Sequence, residues 1–267
     1  MADRLRPSPA AQASRALARS GLTVVRVPED IETLREFGFP EQTREGIRAL
    51  RSLDLIRPVG RGIYEVRDPS GRVRGGLERL VAAKLSGTAH LVTGWWALAD
   101  AQLTNQDVRE LVVLTPSKRR GLTLSGKRVH VVAAPEAELW GGRKRASGLI
   151  VAEPARALCD CAARRSTRIP APRLAEALER FLEGRDARKR LVWAVDRYHS
   201  PVAARRLGFL AELITGEEWR ELRQLAGRSK RPEPLDPGDD SAAPVNTRWG
   251  IRTRLGEDEL LEHRRVS

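Results

Sequence analysis

The sequence predicts an α+β fold in which a small N-terminal domain precedes a larger mixed α/β domain. Residues 31–66 contain two short helical patterns and then two alternating apolar–polar runs around Gly60-Arg61-Gly62. Residues 73–152 mix helical and strand patterns, and residues 153–225 are mainly helical. With 267 residues the chain is long enough for two domains that each have a core.

The small domain is predicted to hold two helices, near Ile31–Phe37 and near Pro40–Leu53. Gly38 separates them, because glycine readily takes the left-handed conformation that ends a helix. Proline suits the first position of the second helix. The apolar face of that helix recurs at helical spacing at Thr43, Ile47 and Leu50.

The polar side of the second helix carries Arg44, Arg48 and Arg51. At 100° per residue these three lie within about 60° of one another. A guanidinium can pair bidentately with a guanine edge or with phosphate oxygens, so the stripe favours contact with duplex DNA. Glu41 and Glu45 lie on the same side, and the alternative is therefore a salt-bridged face turned to solvent.

The two alternating runs, residues 55–59 and 63–66, predict a hairpin with Arg61 at its tip. Two helices followed by such a hairpin describe a winged helix-turn-helix, with Arg61 placed to touch a phosphate. The predicted DNA-binding residues are Gln42, Thr43, Arg44, Arg48, Arg51, Arg57 and Arg61.

A turn at Asp68–Gly71 predicts a domain boundary near residue 72, so that residues 1–72 form the winged-helix domain and residues 73–267 the C-terminal domain. Helices are predicted at Leu77–Leu85 and Thr93–Ala101. The strands Glu110–Thr115 and Lys127–Ala133 are expected to pair, with a possible third strand at Gly148–Ala152.

The rest of the C-terminal domain is predicted to be mostly helical. The expected helices are Glu153–Arg164, Ala171–Glu183, Ala187–His199, Pro201–Ile214 after a Ser200 cap, and Glu217–Leu225. Residues 228–244, rich in Pro, Asp, Ser and Gly, predict a flexible loop or linker. A last short strand is expected at Thr247–Arg254 around Trp249.

The apparent catalytic and metal-binding signals in the chain do not withstand inspection. The run Gly121–Lys127 fits the phosphate-loop pattern, but Arg128 replaces the required Ser or Thr and Lys127 begins a strand, so a hairpin turn is expected. Asp236, Asp239 and Asp240 lie in the predicted linker, whereas catalytic carboxylates lie on rigid elements. The four histidines are scattered. We therefore expect no enzyme activity, no metal and no cofactor.

The cysteines and tryptophans are predicted to be structural. Cys159 and Cys161 point to different sides of one helix, which disfavours a mutual disulfide, and are expected to be buried small residues. The six tryptophans are more typical of core anchors than of a ligand site. They are Trp95, Trp96, Trp140, Trp193, Trp219 and Trp249.

The formal net charge of +13 favours a polyanionic partner, although the excess is spread along the chain. No apolar run reaches the roughly 18 to 20 residues that a membrane span needs, and the N-terminus lacks the apolar region of a signal peptide. We expect a cytoplasmic protein that does not enter a membrane.

From about residue 31 to residue 254 the chain resembles the AbiEi-type antitoxins of bacterial abortive-infection (type IV) toxin–antitoxin systems. The resemblance rests on the order and spacing of seven segments. They are Val59–Tyr64 (VGRGIY), residues 90–106 (HLVTGWWALADAQLTNQ), 111–116 (LVVLTP), 127–132 (KRVHVV), 151–162 (VAEPARALCDCA), 205–214 (RRLGFLAELI) and 247–252 (TRWGIR).

The resemblance implies an N-terminal winged helix that binds inverted repeats in the promoter of its own operon and represses it. It also implies a C-terminal domain that counters a nucleotidyltransferase-like toxin encoded nearby. The chain departs from the family at Asp54, where many relatives have Gly, which slightly alters the turn into the wing. It also has an acidic, Pro-rich insertion before the final strand.

Two other classes of function stay open on the sequence. A winged-helix regulator with a small-molecule-sensing second domain would have an apolar pocket with convergent polar groups in that domain. A nuclease-like enzyme would need metal-binding carboxylates on regular elements, and none is predicted. The basic segments 118–120 and 143–145 are consistent with a wider DNA footprint, with contact to an acidic toxin surface, or with solvent-facing turns.

Overall fold

The computed structural model describes residues 7–74, 76–106, 108, 110–117, 121–124, 127–228, 231–236 and 242–265. The chain divides into two units, which are described separately. The first unit comprises Met1–Thr88, Thr123–Lys127 and Arg145–Leu149. The second unit comprises Ala89–Leu122, Arg128–Lys144 and Ile150–Ser267. Helices and β-sheets are both present, which confirms the α+β class.

The main elements of the first unit are four helices and a three-stranded sheet. In chain order they are α1 (Pro9–Ser20), β1 (Val24–Arg26), α2 (Ile31–Glu36), α3 (Thr43–Ser52), β2 (Ile56–Gly60), β3 (Ile63–Val66) and α4 (Leu77–Leu85). The sheet is antiparallel with the order β1-β3-β2. Tyr64 of β3 lies between Val25 of β1 and Pro58 of β2, which fixes the register of all three strands.

The core of the first unit forms where α1, α2 and α3 pack on one another and on the sheet. Its buried members are Ala13, Ala16, Leu17, Val25, Ile31, Leu34, Phe39, Ile47, Leu50, Ile56 and Val66. Burial of a side chain the size of valine, leucine, isoleucine or phenylalanine contributes roughly 1.5–3 kcal/mol. The core therefore holds α3 through Ile47 and Leu50 and leaves its opposite side free.

Two boundaries in the first unit differ from the sequence prediction. Helix α3 begins at Thr43 and not near Pro40, because the carbonyl of Gln42 accepts the first helical hydrogen bonds and Pro40 is buried in the preceding turn. The unit itself extends to Thr88, beyond the boundary expected near residue 72, because α4 packs against β1 and β3.

The second unit begins with a sheet and a short helix. Its elements up to residue 152 are β4 (Leu91–Thr93), α5 (Trp95–Asp100), β5 (Glu110–Thr115), β7 (Lys127–Ala133), β8 (Gly142–Lys144) and β9 (Ile150–Ala152), with a short 3-10 helix at Glu136–Glu138. Between β5 and β7 the chain forms the short strand β6 (Leu122–Leu124), most of which is assigned to the first unit. Strands β7, β5, β4, β9 and β8 lie side by side in that order. The expected pairing of residues 110–115 with 127–133 is confirmed and is parallel. Thr93, expected at the start of a helix, instead ends β4.

Helices dominate the rest of the second unit. They are α6 (Pro154–Ala163), α7 (Ala171–Leu182), α8 (Ala187–Tyr198), α9 (Pro201–Thr215), α10 (Arg220–Ala226) and the short α11 (Glu257–Leu260), followed by a 3-10 helix at Glu262–Arg265. The first five agree with the predicted helices to within three residues at each end. The predicted Ser200 cap is confirmed, since its hydroxyl accepts a hydrogen bond from the backbone N–H of Ala203.

The segment expected to be a flexible linker is anchored at residues 233–236. Strand β10 (Glu233–Pro234) pairs in parallel with β12 (Ile251–Arg252). The guanidinium of Arg168 donates to the carbonyls of Pro234 and Leu235, and Asp236 accepts from the backbone N–H of Ala171. These hydrogen bonds come from residues distant in the sequence, so composition alone did not reveal them. Asp239 and Asp240 lie outside the described residues.

The last strand is shorter than expected. Residues 247–254 were predicted as one strand, but only β12 forms there, and β11 (Val245–Asn246) pairs antiparallel with it. Gly250 has φ +61°, and the side chain of Asn246 accepts from the backbone N–H of Trp249. Trp249 thus lies in a turn between two strands, with its ring buried.

The tryptophans fall into three groups, so their predicted role as core anchors holds only in part. Trp219 and Trp249 are buried, while Trp95, Trp96 and Trp140 are half-buried. The prediction is wrong for Trp193, which is 56% exposed, because other positions of α8 form its buried face. That face consists of Ala187, Leu191, Ala194 and Val195.

The two cysteines are buried free thiols, as predicted. Burial raises the pKa of both thiols, and the neighbouring Asp160 carboxylate raises each of them further. They are therefore protonated and packed as small apolar side chains. Across the described ranges, no helix combines the length and the apolar character that crossing a bilayer requires.

Candidate nucleic-acid interface

One side of α3 exposes three arginines. Arg44, Arg48 and Arg51 are exposed, whereas Gly46, Ile47 and Leu50 face the core of the first unit. We call the surface formed by the three arginines the α3 arginine face. Helix geometry therefore places these side chains as the sequence predicted, on the side away from the core.

The three arginines have no ion-pair or side-chain hydrogen-bond partner within the part of the chain that the structure describes. Glu41 and Glu45, the carboxylates of the salt-bridged alternative, do not pair with them there. Other exposed arginines do form ion pairs: Arg248, for example, pairs with Glu212 and Glu218. The α3 arginine face is thus an unneutralised cluster of like charge, and the salt-bridged alternative is not what the described residues form.

The connection before α3 fixes the direction of this face. Gly38 has φ +85° and donates its backbone N–H to the carbonyl of Arg35. Phe39 donates its backbone N–H to Leu34 and buries its ring in the core. Because both the backbone hydrogen bond and the buried ring hold Phe39, the residues just before α3 have a fixed position.

The hairpin joins β2 and β3 through the two-residue turn Arg61–Gly62, as the glycine pattern predicted. Gly62 has φ +69°, and its carbonyl accepts a hydrogen bond of 2.7 Å from the backbone N–H of Val27. The Arg61 side chain is exposed. The turn is therefore tied to the chain beyond β1 while its cation projects into solvent.

Lys84 of α4 supplies a cation beside this hairpin that the sequence analysis did not find. A methyl group placed on Gly60 would lie 2.0 Å from Lys84 Nζ, so the ammonium group sits directly over Gly60, next to Arg61 in the chain. Helix α4 is also tied to the sheet through Arg79, whose guanidinium donates to the Thr23 hydroxyl. No local sequence signal could have found Lys84, because its position results from tertiary packing of α4.

The remaining predicted residues lie at the start of α3 and on β2. Gln42 is the exposed residue before α3, and Thr43 is its half-buried first residue. Arg57 is exposed on β2, opposite Glu65 of β3. All seven predicted residues thus lie on α3, at its N-cap or in the β2–β3 hairpin, and Thr43 is the least accessible of them.

Asp54, the second residue after α3, has a left-handed backbone conformation. Its φ is +52°, and asparagine, aspartate and glycine tolerate this conformation best. Its carboxylate also forms an ion pair of 3.3 Å with Arg67. The left-handed backbone explains why glycine suits this position, and the ion pair offers a reason for aspartate here.

The second unit contains a cavity of about 230 Å³ near α5 and β5. Its walls include Trp95, Val112, Arg168 and Ile169. The buried indole N–H of Trp95 has no hydrogen-bond partner among the described residues. The cavity is smaller than the roughly 300–1,000 Å³ of typical ligand pockets.

The other sequence signals are placed as follows. Residues 118–120 lie outside the described residues, whereas Arg143 and Lys144 are exposed on β8. His90 is buried and accepts from the backbone N–H of Ile150, and His263 pairs with Glu179. In the described ranges no three His, Cys, Asp or Glu side chains cluster as metal ligands would.

No protein-family model and no curated protein matches the chain. Among solved structures, the chain is similar to the Rv2827c protein from Mycobacterium tuberculosis, with a TM-score of 0.69 and 20% sequence identity. The match covers 98% of this chain and 96% of that chain. At this level of identity the similarity shows a shared fold.

Proposed function

We propose that the protein is a non-enzymatic, DNA-binding transcriptional repressor whose first unit is a winged helix-turn-helix. The element order α1-β1-α2-α3-β2-β3 and the antiparallel order β1-β3-β2 support this proposal. In this reading α2 and α3 are the helix-turn-helix, α3 enters the major groove, and the β2–β3 hairpin is the wing.

The unpaired α3 arginine face is the observation that carries the proposal. Three like charges held on one helix face without counterions repel one another, and a polyanion relieves that repulsion. At a rise of 1.5 Å per residue the face extends about 10 Å along the helix, or roughly three base-pair steps. Its arginines can therefore reach consecutive guanine edges or the flanking phosphates.

The hairpin and α4 supply backbone contacts in the same proposal. Arg61 projects from the turn, and the Lys84 ammonium lies over Gly60 beside it. Two cations at one tip suit a phosphate, which carries charge but no sequence information. We therefore assign sequence reading to α3 and orientation on the duplex to the hairpin and Lys84.

DNase footprinting of the full-length protein on its own promoter tests the proposal. We expect protection of two inverted half-sites and loss of protection when Arg44, Arg48 and Arg51 are replaced by alanine. In a matched control variant Arg220, Arg223 and Arg265 are replaced by alanine. This variant loses the same formal charge, but its arginines are paired with Glu218 or Asp258 in the unaltered chain. If the two variants protect the promoter equally, the α3 arginine face is not the DNA site.

We further propose that the protein counters a nucleotidyltransferase-like toxin encoded nearby, through its second unit. The resemblance to the AbiEi-type antitoxins supports this part. The test is co-expression of the full-length chain with the adjacent gene in growing cells. The Arg44/Arg48/Arg51 alanine variant should rescue growth as the unaltered protein does, while failing to repress the promoter. An adjacent gene product that is not toxic, or is not countered, contradicts this part.

A second candidate function is a repressor that releases DNA when its second unit binds a small molecule. The cavity lined by Trp95, whose indole N–H has no hydrogen-bond partner in the described part of the chain, is the observation that favours it. This candidate predicts that a small polar compound raises the thermal stability of the protein and weakens promoter binding. Both effects should disappear in Trp95→Phe. A panel of small carboxylates and nucleotides without any such effect would count against it.

A further inference from the structure

The second unit exposes one large aromatic side chain beside a groove. Trp193 of α8 is 56% exposed, the highest value among the exposed large apolar side chains of the described residues. The adjoining groove has a volume of about 550 Å³ and is lined by α8 and α10. Val192 and Leu225 provide apolar walls to it. The same surface thus carries a projecting ring and a recess that suits an apolar group.

The Trp193 ring is held in place by its neighbours. Trp140 meets it edge to face, with ring centroids 5.8 Å apart and an interplanar angle of 89°. The Arg197 guanidinium lies 5.8 Å from the Trp193 centroid and 5.2 Å from that of Trp140. A ring fixed in this way loses little side-chain entropy when it docks, which favours its use as an interface anchor.

We propose that this face binds the same face of a second copy of the chain. The two α8 helices would lie antiparallel about a two-fold axis, with each Trp193 next to Val192 and the groove of the other copy. Such an arrangement is self-complementary because the surface carries both the projection and the recess. It goes beyond the proposed DNA binding and does not depend on it.

The charges of the face favour a second copy as the occupant. Lys189 and Asp196 lie on either side of Trp193, one turn away in each direction, and neither has an ion-pair partner among the described residues. In an antiparallel pair with Trp193 next to Val192 of the second copy, Lys189 of each copy faces Asp196 of the other. Arg188 at the groove is already neutralised by Glu217 and Glu221.

Other occupants fit the groove less well. A nucleic acid would complement Lys189 but would be repelled by Asp196, and an acidic peptide meets the same difficulty. A basic partner would complement Asp196 but would be repelled by Lys189. A two-fold copy presents both signs in the reverse order, so it satisfies Lys189 and Asp196 together.

Sedimentation equilibrium of the full-length protein, without DNA, tests this inference. We expect the unaltered chain to be dimeric at about 100 µM, and Trp193→Ser to weaken dimerisation by about 100-fold, since each substitution removes two anchors. Val245→Ser replaces another exposed apolar residue, outside the groove, and should leave dimerisation unchanged. Circular dichroism and thermal melting of each variant verify that the fold is retained.

A charge reversal tests the antiparallel register and remains informative if Trp193→Ser fails to fold. Lys189→Asp should weaken dimerisation about 10-fold, because two ion pairs are replaced by two repulsions. Adding Asp196→Lys in the same chain should restore it. The inference is overturned by a chain that stays monomeric at about 100 µM, by a dimer that Trp193→Ser leaves intact, or by a double variant that is no tighter than Lys189→Asp alone.

Discussion

Gly46 of α3 faces the ring of Phe39 so closely that a methyl group on Gly46 would lie 2.4 Å from Cζ and 2.6 Å from Cε1 of that ring. Phe39 belongs to the α2–α3 connection, and its ring is buried. The absence of a side chain in the middle of α3 therefore lets the connection pack onto the helix. This contact sets the direction in which the α3 arginine face points.

Replacing Gly46 with alanine should destabilise the first unit. Overpacking against a buried aromatic ring costs about 1–3 kcal/mol, and the better helix propensity of alanine offsets at most about 1 kcal/mol of that cost. Chemical denaturation of the full-length chain measures the change in the free energy of unfolding. Gly76→Ala is the matched control, because nothing lies within 4 Å of the added methyl group there. Equal stability of the two variants would mean that Phe39 moves aside freely.

Arg61→Ala should weaken binding to every duplex alike, since Arg61 is assigned to the phosphate backbone. The slope of log affinity against log salt concentration should become shallower by about 0.9, the value for one lost phosphate contact. Fluorescence anisotropy with the promoter duplex and a scrambled duplex measures both quantities. A change in preference between the two duplexes, with unaltered affinity for the scrambled one, would make the hairpin a base reader.

Lys84→Gln should have the same effect as Arg61→Ala on non-specific affinity and on the salt slope. The reason is that its ammonium lies over Gly60 beside the hairpin turn. Arg185→Gln is the control for the loss of one positive charge, because its side chain is 98% exposed and lies in the second unit. If Lys84→Gln and Arg185→Gln bind DNA equally well, Lys84 does not contact the duplex.

Glu212 should make the stability of the second unit depend on pH. Its carboxylate accepts hydrogen bonds from Arg248, from the Trp249 indole and from the backbone of Trp219. Burial raises the pKa of Glu212, but the hydrogen bonds from Arg248, Trp249 and Trp219 lower it by more, so that the pKa is below its usual value. The ionised form is thus favoured in the folded state, and its contribution is complete above the unfolded-state pKa of about 4.3.

That contribution is lost as the pH falls through the lowered pKa of Glu212. At neutral pH Glu212→Gln should reduce the free energy of unfolding by about 1–3 kcal/mol, and the difference from the unaltered chain should shrink below about pH 4. Urea denaturation at neutral pH and below about pH 4 measures this difference in the free energy of unfolding. Glu183→Gln, a change at an exposed position, is the control. A difference that stays constant between the two pH values would show that the charge of Glu212 is not the cause.

Local signals in the sequence were sufficient for α2, for the end of α3 and for the β2–β3 hairpin. Gly38 and Gly62 mark turns where the backbone has positive φ, and the exposed arginines follow from helical periodicity alone. Helix α1 was not predicted, because its buried face consists mainly of alanines, Ala13 and Ala16, which give a weak hydrophobic signal. Strand β1 has three residues and forms through pairing with β3.

The features that sequence reasoning missed depend on contacts between distant residues. Lys84 reaches Gly60 only because α4 packs on the sheet, and β10 forms only because residues 233–234 meet β12. Trp193 has a large apolar side chain of the kind that usually lies in a core, but its position on α8 leaves it outside the buried face. In each case tertiary packing, which no local pattern encodes, decides the outcome.

The affinity of the full-length protein for its own promoter duplex, measured by fluorescence anisotropy at fixed salt, decides whether the α3 arginine face binds DNA. Each arginine of the α3 arginine face is expected to contribute about 1–3 kcal/mol if it reads a base. Replacing Arg44, Arg48 and Arg51 together with alanine should therefore weaken binding by at least about 100-fold, while the Arg220/Arg223/Arg265 variant keeps most of its affinity. If the affinity of the α3 variant for the promoter stays within about twofold of that of the unaltered chain, the α3 arginine face is not the DNA site.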